Sequence, residues 1–203
     1  MTQGALSRIL LVGLLLLFLL VRLFFTIKKR REGGRIARDE DAIAREGKSN
    51  FTFRRIIFGP VLTFFIVLCC LNPSWLRYLE IPYSSFIMWF GAVMALAGIA
   101  LLAWTHLCLG KEWSVNLQLR DDHRLIRSGP YSEVRHPMYT ALFFIYIGLG
   151  LISNDYVAFI LILMAVISLL LRIPREEDMM IEKFGEEYRT YIKKTGKFFP
   201  KLG

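Results

Sequence analysis

The residues of this chain best equipped for chemistry fall in three stretches of its second half. One is Leu125-Ile126-Arg127-Ser128-Gly129-Pro130-Tyr131, and the next is Arg135-His136-Pro137-Met138-Tyr139. The third is Arg172-Ile173-Pro174-Arg175-Glu176-Glu177, followed by Phe184-Gly185-Glu186-Glu187-Tyr188. Taken singly, each has an ordinary structural reading. Ser128-Gly129-Pro130 is turn chemistry, Pro137 suits the first turn of a helix, His136 reads as an interfacial histidine, and Arg172 to Glu177 reads as a solvated helix segment. Taken together they offer more. Arg172 and Glu176 are four residues apart, so a continuous helix puts a guanidinium and a carboxylate on one face. Pro174 between them removes one helical hydrogen bond, and a kink there is expected to turn the carboxylates back toward the rest of the fold. Other site classes find no support. The chain has no GxSxG elbow, Walker A loop, HExxH or GxGxxG. No CxxC or His/Cys ligand spacing appears, so no metal site is expected.

The elements that must carry these residues are membrane helices. Of 203 residues 55% are hydrophobic, with sixteen Phe, eight Tyr and four Trp, too much apolar surface for a water-soluble chain this short to bury. Five apolar runs stand out. The first is Leu11 to Ile27, counted from Ala5, and Lys28-Lys29-Arg30-Arg31 after it reads as the flank of a retained span rather than of a cleaved signal. The second runs from Ile56 to Leu71. The third, Ser84 to Cys108, is rich in the small residues that let helices approach closely, among them Gly91, Ala95 and Gly98. The fourth and fifth, Met138 to Ile152 and Tyr156 to Leu171, are separated only by Ser153-Asn154-Asp155 and form an antiparallel hairpin. Cys69, Cys70 and Cys108 are small apolar packing residues on this reading.

The charges orient the bundle. Residues 28–55 hold ten Lys and Arg, residues 109–137 five and residues 172–203 eight, which is 23 of the 26 basic residues. The alternate loops, 72–83 and 153–155, hold only Arg77. The positive-inside rule then gives an outside N-terminus and an inside C-terminus, with all three chemistry-bearing stretches at the cytoplasmic face. The same placement argues that the net charge of +9 serves topology and anionic lipids, with no nucleic-acid partner. The expected fold is all-α: a polytopic membrane protein of about five transmembrane helices with short C-terminal cytoplasmic helices. No polar stretch is long enough for the βαβ units of a dinucleotide domain.

In order and spacing, the stretches from Leu125 to Pro200 resemble the isoprenylcysteine carboxyl methyltransferase family and its prokaryotic, five-span relatives. The likeness rests on Ser128-Gly129-Pro130-Tyr131, Arg135-His136-Pro137-Met138-Tyr139, the Arg172/Glu176/Glu177 set and Phe184-Gly185-Glu186-Glu187-Tyr188. It implies an N-terminal membrane region over 1–109 and a cofactor-binding methyltransferase core over 110–203. It implies S-adenosyl-L-methionine as cofactor, with His123, Arg124, Leu125 and Ile126 lining the adenosyl moiety. Tyr131 and the segment His136, Pro137, Met138 and Tyr139 would close around it, and Glu176 would bind its polar end. Glu177, if it faces solvent, would matter less. Arg172 would face the methyl acceptor, a lipidic or prenylated carboxylate reached through the bilayer of a prokaryotic cell membrane. Methyl transfer to a carboxylate needs no general base, because the acceptor is already ionised at neutral pH. A phospholipid or small-thiol methyltransferase would share the cofactor pocket and differ at the acceptor. A nicotinamide-dependent sterol reductase or a non-catalytic membrane scaffold are the remaining alternatives.

Overall fold

Near-continuous Leu, Ile, Val and Phe, with no internal breaker, make α-helices the default wherever the backbone must satisfy its own hydrogen bonds in lipid. The computed structural model of the chain describes residues 3–31, 84–110, 125–153 and 155–201, and within these it is helical. The helices are α1 (Gln3–Arg31), α2 (Ser85–Leu109), α3 (Pro137–Ser153), α4 (Tyr156–Phe184) and α5 (Glu186–Lys194), with one 3-10 turn at Gly129–Ser132. Helices α1, α2 and α4 are long and apolar enough to cross a membrane, and α3 is a shorter apolar helix. At about 1.5 Å per residue, α3 measures roughly 25 Å against a hydrocarbon core of about 30 Å. The expected all-α polytopic architecture is therefore present. The second span, Ile56 to Leu71, lies outside the described residues, as do His123, Arg124, Cys69, Cys70 and most of 28–55.

The core is a seam between α2 and α3, with α1 packed across both. Ala95, Leu102, Ala141, Ile145 and Ile152 are almost fully buried there, and Leu11, Leu14 and Phe18 of α1 join them. Glycine sets the spacing. A Cβ added at Gly98 would lie 2.7 Å from the Ala141 carbonyl oxygen, and one at Gly91 would lie 2.7 Å from that of Gly148. The outward faces stay apolar: Leu19, Leu20 and Leu23 of α1, Phe86 and Phe90 of α2, and Ile160 and Leu171 of α4 are exposed. That much contiguous apolar surface is lipid-facing surface.

The hairpin between α3 and α4 is capped by Asp155, whose carboxylate accepts from the backbone N–H groups of Val157 and Ala158 at 2.7 and 3.1 Å. The continuous helix considered for Arg172 and Glu176 is present. The apolar span ends at Leu171, but the helix does not, because α4 continues through Pro174 to Phe184. Its polar extension, Arg172–Phe184, stands beyond the apolar part and carries the carboxylates. Gly185, at φ +52°, donates its N–H to Ile181 at 2.8 Å and turns the chain into α5.

The ends of these elements meet at one pole. Phe25 of α1 lies 4.9 Å from the His106 ring of α2. A Cβ on Gly129 would collide with Cys108 at the end of α2, so the 3-10 turn sits on that helix terminus. The start of α3 and the extension of α4 are joined at the same pole by the ion pairs described next.

Candidate functional site

The site is assembled where the start of α3 meets the extension of α4. His136 immediately precedes Pro137, which opens α3, and Tyr139 follows one turn on. Glu176 and Glu177 are adjacent on α4 and project in different directions, about 100° apart around the helix axis. Each carboxylate therefore recruits its own partners.

Glu176 is anchored through one oxygen. Its Oε1 accepts from the Tyr139 hydroxyl at 2.6 Å and from Arg172 Nε at 2.9 Å. The second oxygen, Oε2, stands 3.9 Å from His136 Nδ1, beyond hydrogen-bond range. The expected one-face pairing of Arg172 and Glu176 is present as a half-buried i, i+4 ion pair.

Glu177 is the more enclosed of the two, with a side chain 17% exposed against 21% for Glu176. The conditional expectation of a solvent-facing Glu177 thus gives way to a half-buried hub. Its Oε1 accepts from Arg135 Nε at 2.7 Å and from His136 Nε2 at 3.0 Å, while Lys197 Nζ lies 3.6 Å from Oε2. Burial acts to raise its carboxyl pKa, but the hydrogen bonds from His136 and Arg135 outweigh it and hold the value down at about 2.

The chain after α5 closes this cluster. Arg135 and His136 donate their backbone N–H groups to the carbonyls of Gly196 and Lys197 at 3.0 and 3.1 Å, and Gly196 N–H returns a bond to Glu133 at 3.0 Å. Val134 and Gly196 form an isolated parallel bridge. Arg135 Nη1 also donates to the Thr195 carbonyl at 2.9 Å, and Thr140 Oγ1 donates to that of Phe198 at 2.8 Å. The Phe198 ring lies over His136 and Phe143, with centroids 6.4 and 5.3 Å away.

Of the residues singled out in the sequence, His136, Tyr139, Arg172 and Glu176 converge. Pro137 is buried at the start of α3, and Met138 packs against the seam. Tyr131 is buried but serves the scaffold, its carbonyl accepting from the Tyr191 hydroxyl of α5 at 2.6 Å. Burial pushes the Tyr131 phenol well above its usual range and the Tyr191 phenol up to about 12, so both remain neutral. Leu125 and Ile126 are half-buried in the non-helical stretch before the 3-10 turn, and no hydrogen bond ties them to the carboxylates. Sequence reasoning missed the parts played by Arg135, Glu177, Thr195 and Lys197. Arg135 lay inside a stretch already marked; Thr195-Gly196-Lys197 carries no signal beyond a turn. Among the described residues, no three His, Cys, Asp or Glu side chains converge as metal ligands do.

The cluster falls largely within a region with known relatives. Residues 91–182 match the model of the isoprenylcysteine carboxyl methyltransferase family. The chain is 29% identical over 109 residues to a nickel-cobalt-cadmium resistance protein of Alcaligenes xylosoxydans xylosoxydans, covering 53% of this chain and 51% of that one. It is 29% identical over 130 residues to a probable protein-S-isoprenylcysteine O-methyltransferase of Oryza sativa subsp. indica, covering 62% of this chain and 67% of that one. The fold is similar to that of a eukaryotic intramembrane Ras methyltransferase, with a TM-score of 0.50 and 23% identity, over 76% of this chain and 52% of that one. The chain thus spans about half the length of the metal-resistance relative and of the solved structure. The region that matches this family, residues 91–182, carries most of α2, the start of α3 and both carboxylates.

Proposed function

We propose that this protein is an integral membrane methyltransferase that uses S-adenosyl-L-methionine to esterify the carboxylate of a lipid-modified, isoprenylcysteine-like acceptor. The observation that carries the reading is Glu176. It is a carboxylate held by Tyr139 and Arg172 at one pole of an apolar bundle, with its second oxygen left for a ligand. The donor set fits the cofactor. S-adenosyl-L-methionine presents cationic groups, and a carboxylate beside an aromatic face is a suitable partner for them. When bound, the cofactor supplies an electrophilic methyl group on a sulfonium.

What remains for the protein is to hold, align and exclude water. Glu176 holds the polar end of the cofactor, and Tyr139 and Arg172 fix that carboxylate in place. Leu125 and Ile126, with His123 and Arg124, line the adenosyl part on this reading. Arg172 also faces the acceptor carboxylate, where a guanidinium can engage two oxygens and leave lone pairs for attack. A neutral amine acceptor would have to lose a proton, and a cationic headgroup would be repelled by Arg172. An acceptor with a prenyl chain reaches this pole sideways from the lipid that bathes α2 and α4. The basic residues of 28–55, 109–137 and 172–203 support a cytoplasmic position for this pole, in the cell membrane of a prokaryote on this reading.

Transfer of radiolabelled methyl from the cofactor, offered N-acetyl-farnesylcysteine or phosphatidylethanolamine, tests the assignment. Labelling of the farnesylcysteine alone is the expected result. Labelling of the phospholipid alone would remove the carboxylate acceptor. For orientation, single cysteines at Tyr156 and Arg189, in a cysteine-free background, should react with impermeant reagent from opposite sides.

A further inference from the structure

A carboxylate can only accept hydrogen bonds, so its contact with a histidine dictates where that ring carries its proton. Glu177 Oε1 lies 3.0 Å from His136 Nε2, which places the hydrogen of a neutral ring on Nε2. The other nitrogen, Nδ1, is then a lone-pair acceptor. Among the described residues it makes no hydrogen bond, and it lies 3.9 Å from Glu176 Oε2. Two acceptors therefore face each other across a gap. Left alone they repel; a donor placed between them satisfies both, and a primary ammonium does so with charge as well.

We propose that Glu177 is a positioning residue: it fixes His136 in the Nε2–H tautomer, so that Nδ1 and Glu176 Oε2 together accept from one ammonium group of the ligand. The inference rests on the reading of Glu176 as the holder of the cofactor's polar end, whose amino-acid moiety carries such an ammonium. Glu177 is built for the task. Arg135 and Lys197 compensate its charge from two other segments, and the backbone bonds from Arg135 and His136 to Gly196 and Lys197 keep the ring from swinging. Lys197 and its neighbours lie after residues 91–182, the part that matches the family model. The arrangement is that of a histidine oriented by a carboxylate behind it, a common device at metal and catalytic sites, here applied to a cation-binding lone pair.

The test uses the full chain in detergent with two probes. S-adenosylhomocysteine carries the ammonium; methylthioadenosine keeps the nucleoside and lacks the amino-acid end. In Glu177→Gln, S-adenosylhomocysteine binding should weaken on the order of fivefold while methylthioadenosine binding holds. His136→Asn, whose amide oxygen can stand near Nδ1, should retain more S-adenosylhomocysteine affinity than His136→Gln, whose amide reaches the Nε2 position. Long-range proton–nitrogen spectra of histidine-labelled protein, with the His136 signal assigned by its loss in His136→Asn, should show Nδ1 unprotonated in the wild type and a shifted signal in Glu177→Gln. Equal loss of both probes would make Glu177 a purely structural residue and overturn the proposal, as would a protonated Nδ1 in the wild type. If wild-type protein binds neither probe, the cofactor reading fails on its own. The tautomer spectrum then still decides whether Glu177 sets the ring.

Discussion

The seam between α2 and α3 and the polar pole above it are held by opposite means. At the seam, glycine and alanine bring two backbones together, and the stabilisation is the sum of many weak contacts at close range. At the pole, a few strong polar contacts join residues far apart in sequence: Arg135 to Glu177, Tyr139 to Glu176, and Lys197 to Glu177. The seam leaves no room for added volume at Gly91, Gly98 or Gly148. The pole depends on which atom donates and which accepts. The proposed methyl transfer would need both, a rigid frame in lipid and a polar site at its edge.

The largest effect should come from breaking the seam. Gly98→Leu places a side chain where even a Cβ would sit 2.7 Å from the Ala141 carbonyl oxygen and 2.8 Å from the Ile145 backbone nitrogen. The helices must part, and the loss should exceed about 3 kcal/mol, read as a collapse of thermal unfolding temperature in detergent. Gly13→Leu is the control, since nothing lies within 4 Å of a Cβ there. A similar collapse in both variants would mean that helix glycine in general, rather than the seam, sets stability.

The next effect is at the pole. If Arg172 clamps the acceptor, Arg172→Lys keeps the charge and loses the two-pronged geometry, so single-turnover methyl transfer should fall roughly ten- to a hundredfold, for about 1.4–2.8 kcal/mol. The bond from Arg172 Nε to Glu176 adds a refinement: cofactor affinity should drop too, by less than turnover does, because Tyr139 still holds the same oxygen. Normal turnover in the lysine variant would leave Arg172 as a topology charge. Glu176→Gln should weaken S-adenosylhomocysteine about tenfold, at the lower end for a charge-assisted contact, because its amide oxygen can still accept from Tyr139 and Arg172. Unchanged binding would place the cofactor elsewhere.

How much of this was legible in the sequence follows the same division. The seam was readable from Gly91, Ala95 and Gly98, because small residues at helical spacing have one physical use in a membrane span. The helix pairing of Arg172 with Glu176 was readable for a similar reason, since i, i+4 spacing fixes it locally. The role of Glu177 was not. Adjacent carboxylates on a helix point apart, and which one meets Arg135 depends on how α3 docks on α4. Lys197 was still less visible, because its place depends on Gly185 turning α5 back and on the backbone bridge from Val134 to Gly196. The reach of α4 past Leu171 was left open by composition, which marks where apolar sequence stops rather than where hydrogen bonding stops.

The smallest effect separates two ion pairs of nearly equal length. Arg127 meets Glu187 at 2.6 Å with both side chains about half exposed, while Arg135 meets Glu177 at 2.7 Å with both largely buried. Length alone would rank them together; solvent does not. In the exposed pair, water screens the attraction and two long side chains lose freedom, so Arg127→Ala should change stability by only about 0–1 kcal/mol. The buried pair has a pH signature. Glu177 titrates near 2 in the folded protein and near 4.5 in the unfolded chain, a depressed value. Its contribution is therefore present in full above about pH 4.5 and is lost as pH falls from there toward about 2. Unfolding temperatures measured across that window should fall less steeply in Glu177→Gln than in the wild type, and Arg127→Ala should leave the slope unchanged. A wild-type slope in Glu177→Gln would mean that other carboxylates govern acid stability, and that the pole is held by its backbone bridge rather than by this charge.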